Sequence, residues 1–204
     1  DFLSDSACGL ALINPVLVSG TSTEISEDQI ILESTTISDG TRYESNYVFF
    51  DDLTIQSSTV SGNGSILVFK KLNLNTVDWL AGDIVIGEGA LPTNLEGVKL
   101  SRSLLSHRSL LPLTLNRFEV SSTAGIESSG PLSVSNSILF GTSRVPVKVS
   151  SNSVEGSYSF IGNSFSSAKG AVVLESQRNP DAFKVTVESN TFKSLDSAIS
   201  TGIP

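Results

Sequence analysis

Short stretches of alternating apolar and polar residues recur along this chain, and another apolar position follows each stretch after a few residues. Alternation with period two predicts short β-strands that bury one face. In the second half, no Asn-Gly or Asp-Gly hairpin dipeptide separates successive stretches, which favours parallel strands stacked on the next coil over an antiparallel meander. The predicted strand positions are Val48/Phe50, Leu67/Phe69, Leu113/Leu115, Leu132/Val134, Val147/Val149, Tyr158/Phe160 and Val185/Val187.

Three asparagines, Asn136, Asn163 and Asn190, repeat at a constant interval in the second half of the chain. A fixed period of this length is typical of one turn of a solenoid. Asn tolerates the left-handed backbone conformation that a sharp bend between two faces requires. We therefore predict a structural ladder in which these three side-chain amides lie inside the coil and hydrogen-bond to one another.

A small hydroxyl residue and then Ile138, Phe165 or Phe192 follow these asparagines. The two phenylalanines fall at equivalent positions of successive coils, so we predict that they form an aromatic stack in the core. The pattern as a whole predicts an all-β chain wound into a parallel solenoid.

No linker or charge block divides the 204 residues, so we expect a single domain over 1–204, and we expect it to be a fragment of a longer solenoid. Residues 1–45 resemble the later coils least and are predicted to form an N-terminal capping or irregular region. Within them, Ser26-Glu27-Asp28-Gln29 either opens a short capping helix or precedes a strand.

The net charge is −8, and it is unevenly distributed. Residues 1–100 carry 14 acidic and 4 basic side chains, whereas residues 101–204 carry 7 and 9. An acidic chain is a poor nucleic-acid partner. No stretch approaches the roughly 18 consecutive apolar residues of a membrane-spanning helix, so no membrane insertion by this segment is expected. The single cysteine, Cys8, is either a free buried thiol or half of a bridge to a segment outside the chain.

The segment Phe160-Ile161-Gly162-Asn163, followed by Gly170-Ala171-Val172, resembles the F-x-x-N and G-G-A-[ILV] repeats of surface adhesins and autotransporter passengers. Lys169 replaces the first glycine of the second repeat. These proteins belong to the right-handed parallel β-helix proteins of the pectin-lyase-like superfamily, which residues 110–200 resemble best. The resemblance implies a right-handed parallel β-helix, a single-stranded solenoid with coils of roughly 20 to 30 residues.

Enzymes of that superfamily depend on particular acidic residues. Polygalacturonase-like members have an N-T-D strand, but this chain has Asn75-Thr76-Val77, with Asp78 one position late and therefore on the opposite face of the strand. Their G-H-G turn is also missing, because His107 lies in Ser106-His107-Arg108. We consequently predict no catalytic residue, and we expect His107 to lie at the surface or to have its hydrogen bonds satisfied.

Pectate-lyase-like members hold Ca²⁺ with acidic side chains and use a basic residue as the catalytic base. By that resemblance, the candidate metal ligands are Asp51, Asp52, Asp78 and Asp83, and Arg102 or Arg108 is the candidate cationic partner. Otherwise no cofactor is expected. Asn63, in the sequon Asn63-Gly64-Ser65, is the candidate glycosylation site. Trp79 is expected in the core.

Two function classes follow from these observations. We expect a non-catalytic extracellular or cell-surface β-helix module that acts in adhesion or as a structural stalk or filament subunit. Its partners would be a surface protein or a glycan, and it would self-associate end to end. The alternative is a carbohydrate-active enzyme, either a polysaccharide lyase or a glycoside hydrolase, with a divergent pectin-lyase-like site.

Overall fold

A computed structural model describes residues 10–13, 24–25, 29–33, 35–37, 42–43, 47–121, 123–141, 145–151, 156–167, 170–176, 183–193 and 198–202. These residues form twenty β-strands and no helix, so this part of the chain has no helix that could span a membrane. The strands are β1 (Leu10–Ile13), β2 (Glu24–Ile25), β3 (Gln29–Glu33), β4 (Thr35–Ile37), β5 (Arg42–Tyr43), β6 (Tyr47–Ile86), β7 (Thr93–Arg102), β8 (Leu104–His107), β9 (Leu113–Asn116), β10 (Glu119–Val120), β11 (Gly125–Ser128), β12 (Leu132–Ser135), β13 (Ile138–Gly141), β14 (Val147–Ser151), β15 (Gly156–Ile161), β16 (Ser164–Ser167), β17 (Val172–Ser176), β18 (Phe183–Glu188), β19 (Thr191–Lys193) and β20 (Ile199–Gly202).

From β8 onward, each strand pairs in parallel with the strand three places further along the chain. The result is three stacked faces: face A (β9, β12, β15, β18), face B (β10, β13, β16, β19) and face C (β8, β11, β14, β17, β20). The predicted right-handed parallel β-helix is confirmed.

The length of a coil changes along the solenoid. On face A, Leu113 pairs with Leu132, and Leu132 pairs with Tyr158 in a second step that takes up more of the chain than the first. The next step, from Gly156 to Phe183, is one residue longer again. The strands stay in register while the connections between them lengthen, because only the strands must match the coil below.

The long strand β6 contains 40 residues and winds around more than one coil. Its first residues pair with β3, and its last residues pair with β7 and β8. A straight strand of this length would extend roughly 130 Å. The N–H of Gly87, just after β6, donates to the carbonyl oxygen of Val68 (2.8 Å), which joins two successive coils.

The interior of the solenoid is one apolar cluster that runs from Leu53 to Leu174 among the residues with described side chains. Trp79 is fully buried there, as expected, and its Nε1 donates to the carbonyl oxygen of Gly82 (2.7 Å). The prediction that Leu67 and Phe69 face inward was wrong. Ile66 and Val68 are buried instead, because four consecutive apolar residues fit either register.

The N-terminal region contains strands that join the same sheet. Leu10–Ile13 pairs with β3, and β3 and β4 pair with β6. Gln29–Glu33 is a strand, so the segment that ends at Gln29 precedes a strand, and its residues 26–28 lie outside the described part.

In six successive coils of the described part, from Thr76 to Ser189, the bend between face A and face B places one residue in the left-handed region, a set we call the left-handed column. Only one of the three repeated asparagines belongs to it, namely Asn136. The column comprises Thr76 (φ 57°), Gly97 (φ 63°), Arg117 (φ 51°), Asn136 (φ 50°), Gly162 (φ 68°) and Ser189 (φ 54°). Asn163 and Asn190 lie one position later, so the prediction that Asn supplies the bend holds for the first asparagine alone.

Candidate functional site: a lateral groove on face C

A groove of about 770 Å³ lies on face C beside the loop that joins β8 to β9. The carboxyl ends of β8, β11 and β14 form its floor, which carries hydroxyl groups from Ser106, Ser129 and Ser150. Leu110 and Leu111 form its rim, with 63% and 44% of their surface exposed. The groove therefore combines a polar floor with an apolar edge.

A buried serine holds the rim in place. The Ser109 hydroxyl donates to the carbonyl oxygen of Ala90 (2.9 Å) and accepts the N–H of Leu111 (3.1 Å). Gly130 of the next coil packs against this loop so closely that a Cβ there would lie 2.3 Å from the Ser109 carbonyl oxygen. Only glycine allows the two coils to approach in this way.

Three charged side chains face the groove: Arg108, Glu88 and Glu127. All three are exposed, and none takes part in the ion pairs found among the described residues. Those pairs are Lys99 with Glu119, Arg117 with Glu96, and Lys148 with Glu175. A cation and two carboxylates are consequently available to a bound molecule.

His107 lies beneath the floor of the groove, inside the coil, with 1% of its surface exposed. Its Nδ1 is 2.8 Å from the Ser128 hydroxyl, which donates to the carbonyl oxygen of Gly130 (3.0 Å). This network places the proton on Nδ1 and leaves Nε2 unprotonated. Nε2 has no hydrogen-bond partner in the described part of the chain, and burial lowers the pKa of His107 to about 4.

The His107 and Ser128 pair is not arranged for nucleophilic catalysis. The serine hydroxyl already donates to Gly130, and both side chains point into the core. A nucleophile must be reachable by the substrate and must give its proton to the base. The imidazole is thus a neutral core group, and the expected surface or satisfied histidine is met at Nδ1 only, because Nε2 lacks a partner among the described residues.

The repeated asparagines form a different ladder from the predicted one. The Oδ1 of Asn163 accepts the N–H of Ser137 (2.9 Å), and the Oδ1 of Asn190 accepts the N–H of Asn163 (2.8 Å). Their Nδ2 groups donate to the carbonyl oxygens of Val134 (2.9 Å) and Phe160 (2.6 Å). The amides therefore bond to the backbone of the neighbouring coil, where we had predicted bonds from amide to amide.

Asn136 lies outside this ladder because the coil that follows it is one residue shorter than the repeat suggested. Ser137 occupies the ladder position instead, and its hydroxyl accepts the N–H of Phe118 (2.9 Å). Asn136 is exposed, and its amide donates to the Oδ1 of Asn116 (3.1 Å).

The same one-residue shift changes the role of Ile138. Leu139, and not Ile138, pairs with Phe165, so Ile138 is exposed. Phe165 is fully buried and stacks on Phe192, with ring centroids 5.2 Å apart and planes 7° apart. This pair is the aromatic stack that the repeat indicated.

The acidic residues proposed as metal ligands do not come together where their side chains are described. Asp78 is exposed on the strand segment that pairs with Lys99, whereas Asp83 lies at the corner before face C. The Asp83 carboxylate accepts the N–H of Leu104 (2.8 Å) and so caps a strand. Among the described side chains, no three His, Cys, Asp or Glu form a group that could hold a metal ion.

Several predicted sites lie outside the described residues or side chains. Asp51, Asp52 and Asn63 belong to β6, but their side chains are outside the described part, and Cys8 precedes it. Arg102 is exposed at the end of β7, just after the part of this strand that pairs with β10 of face B, and does not line the groove.

No family model, curated protein or solved structure matches this chain. The resemblance to the pectin-lyase-like superfamily consequently has the support of the parallel β-helix architecture alone.

Arg108 was a candidate from the sequence, whereas Glu88 and Glu127, which line the same groove, were not. A coil alignment could have found Glu127, because it pairs with Ser106, which neighbours His107 in the sequence. Single motifs do not show this relation, since the two paired residues belong to different coils.

Proposed function

We propose that this chain is a non-catalytic extracellular β-helix module that acts in adhesion or as a structural stalk or filament subunit. The observation that carries the proposal is the ladder through Ser137, Asn163 and Asn190, which joins four successive coils by side-chain bonds to the backbone. Buried hydrogen bonds with every partner satisfied restrict sliding and bending between layers. A stack of this kind is suited to a rigid support.

The groove on face C is the proposed ligand-binding surface of this module. Arg108 and Glu127 can pair with charged or hydroxyl groups of a partner, and Leu110 offers apolar contact. This combination suits a surface protein or a glycan ligand. The module would act at the cell surface or outside the cell, where such partners occur.

The test of the proposal combines shape with groove binding. Small-angle scattering of the monomer should give an elongated rod. A glycan and surface-protein array should give hits that weaken at least tenfold in Arg108→Ala, whereas Arg102→Ala, an exposed arginine on another face, should leave them unchanged. A compact particle, or hits that Arg108→Ala leaves intact, would contradict the proposal.

A second candidate, a carbohydrate-active enzyme, is favoured by the two carboxylates that line the same groove as Arg108. Acid and base catalysis of glycoside cleavage requires two such carboxyl groups. Incubation with acidic polysaccharides, with and without Ca²⁺, tests it by product analysis. Cleavage that disappears in both Glu88→Gln and Glu127→Gln would replace the first proposal with this one.

A further inference from the structure

The corner between face C and face A carries three exposed leucine side chains. Leu91 and Leu111 occupy equivalent positions of successive coils, as the strand pairing just after them shows. Leu91 is 53% exposed, and Leu110, next to Leu111, is 63% exposed. We call these three side chains the leucine ridge. Exposed apolar side chains that lie together, unlike scattered ones, are typical of an interaction site.

The leucine ridge borders the charged groove on face C through Leu110 and Leu111. In the groove, Glu127 and Arg108 lie diagonally on adjacent coils, because the strand partner of Glu127 is two residues before Arg108. No ion pair joins them among the contacts of the described residues. The groove also contains Glu88, so it has two carboxylates and one cation that no described side chain neutralises.

The cation nearest to Glu127 on the other side is already used. Lys148 pairs with Glu127 in the strand register, but its Nζ bonds to the carboxylate of Glu175 (3.0 Å). The Glu127 carboxylate is therefore available to a cation from another molecule.

We infer that the leucine ridge and the groove together bind a segment of a partner protein that carries an aliphatic and a basic side chain within a few residues of each other. The inference rests on the proposed binding role of the groove, and it selects a protein over a glycan. The aliphatic side chain packs on the ridge, and the basic side chain pairs with Glu127. The guanidinium of Arg108 has several N–H donors, which suit the backbone carbonyl oxygens of the segment.

The apolar character of the ridge favours a protein over a glycan. A glycan presents hydroxyl groups over most of its surface, and contact with three leucine side chains leaves such groups without hydrogen-bond partners, which costs free energy. An aliphatic side chain has no such groups, and its apolar surface is removed from water when it packs on the ridge.

Charge complementarity favours a basic segment. The groove has one more carboxylate than cations, and the chain as a whole has a net charge of −8. A field of this sign attracts a basic segment and repels an acidic one. Next to the apolar ridge, the pair that Glu127 forms with the basic side chain is partly shielded from water, which strengthens it.

The experiment measures the binding of fluorescent peptide pools to the full chain by anisotropy. The first pool contains blocked peptides with one leucine and one lysine separated by a few serines. The second pool has glutamate in place of the lysine, and the third has serine in place of the leucine. We expect the first pool to bind at least tenfold more tightly than the other two. Equal binding of the three pools, or no binding of any pool, overturns the inference.

A charge reversal at Glu127 locates the basic side chain. Glu127→Lys should bind the first pool at least tenfold more weakly and should prefer the second, because like charges repel. Glu188→Lys is the matched control, since Glu188 is an exposed carboxylate at the end of β18 on face A, and it should bind like the wild type. If Glu127→Lys fails to fold, by circular dichroism, Glu127→Gln decides the matter with a smaller loss. A preference for the first pool that survives in the folded variant overturns the inference.

A second pair of variants tests the ridge. Leu110→Ser should bind the first pool no better than the third, whereas Ile138→Ser, at an exposed position of face B, should leave the difference intact. Array hits that are glycans alone, and that Arg108→Ala weakens, would overturn this inference and leave the proposed function standing.

Discussion

Two buried polar residues in neighbouring parts of the solenoid differ in how well their hydrogen bonds are satisfied. Asn163, with 2% exposure, uses both its amide oxygen and its amide nitrogen in bonds to the coil below. His107 has one ring nitrogen bonded and the other without a partner among the described residues. A buried polar group contributes to stability only when its bonds are made, so we expect the first residue to stabilise the fold and the second to weaken it.

The strongest test of this comparison is Asn163→Ala. The change leaves the N–H of Ser137 and the carbonyl oxygen of Val134 buried without partners and opens a cavity. We expect the free energy of unfolding to fall by about 4 kcal/mol. Urea denaturation measures it. The control is Asn94→Ala, at an exposed position of β7 that pairs with β9, and it should change the free energy of unfolding by less than about 0.5 kcal/mol. A loss below about 1 kcal/mol would break the comparison.

The close approach of two coils around His107 gives the next largest expected loss of stability. Gly130→Ala places a Cβ 2.3 Å from the Ser109 carbonyl oxygen and 3.2 Å from the Cε1 of His107, so backbone must move. We expect the free energy of unfolding to fall by about 3 kcal/mol.

Gly89→Ala is the matched control for this variant. A Cβ at Gly89 would meet its nearest described atom, the Phe69 carbonyl oxygen, at 3.7 Å, which is ordinary contact. Equal melting temperatures for the two variants would show that the close approach at Gly130 does not constrain the coils.

How far the sequence predicted these features depends on whether each one is local. The alternation and the asparagine repeat correctly predicted the parallel coil and the stack of Phe165 on Phe192, because both periods are visible in the chain. The position of Asn136 was wrong, since the coil that follows it is one residue shorter than the repeat, and a one-residue shift moves every side chain to a neighbouring position.

The groove could not be predicted from motifs. Its lining comes from the ends of three strands in successive coils, and the alignment of those coils follows from connection lengths that carry no strong local signal. The free nitrogen of His107 was equally hidden, because it depends on Ser128 in the next coil.

The pH dependence of stability sharpens the comparison at His107. Its pKa is lowered in the folded protein to about 4, so the unfolded chain takes up the proton first as the pH falls below 6.5. Stability is therefore lost between pH 6.5 and pH 4, by up to about 3 kcal/mol.

His107→Leu should remove this part of the pH slope. Urea denaturation of the wild type and the variant at pH 7.5 and pH 4.5 measures it, and the carboxylates common to both proteins cancel in the difference. Between pH 7.5 and pH 4.5, we expect the free energy of unfolding of the variant to fall by about 2 kcal/mol less than that of the wild type. Parallel pH profiles would mean that the imidazole is solvated.

Asn190→Ala has the smallest expected effect and tests the ladder at a position where water has access. Asn190 makes the same two bonds as Asn163, to the N–H of Asn163 and to the carbonyl oxygen of Phe160, but it is only partly buried. Water can replace the amide of Asn190 in these bonds, so we expect the free energy of unfolding to fall by only about 1 to 2 kcal/mol.

This variant also tests whether neighbouring asparagines of the ladder are coupled. Urea denaturation of the single and double variants measures the coupling. The double variant with Asn163→Ala should lose less than the sum of the single losses, because the Oδ1 of Asn190 accepts the N–H of Asn163 and so connects the two positions. Strict additivity would mean that the rungs act independently and that the ladder does not join the coils.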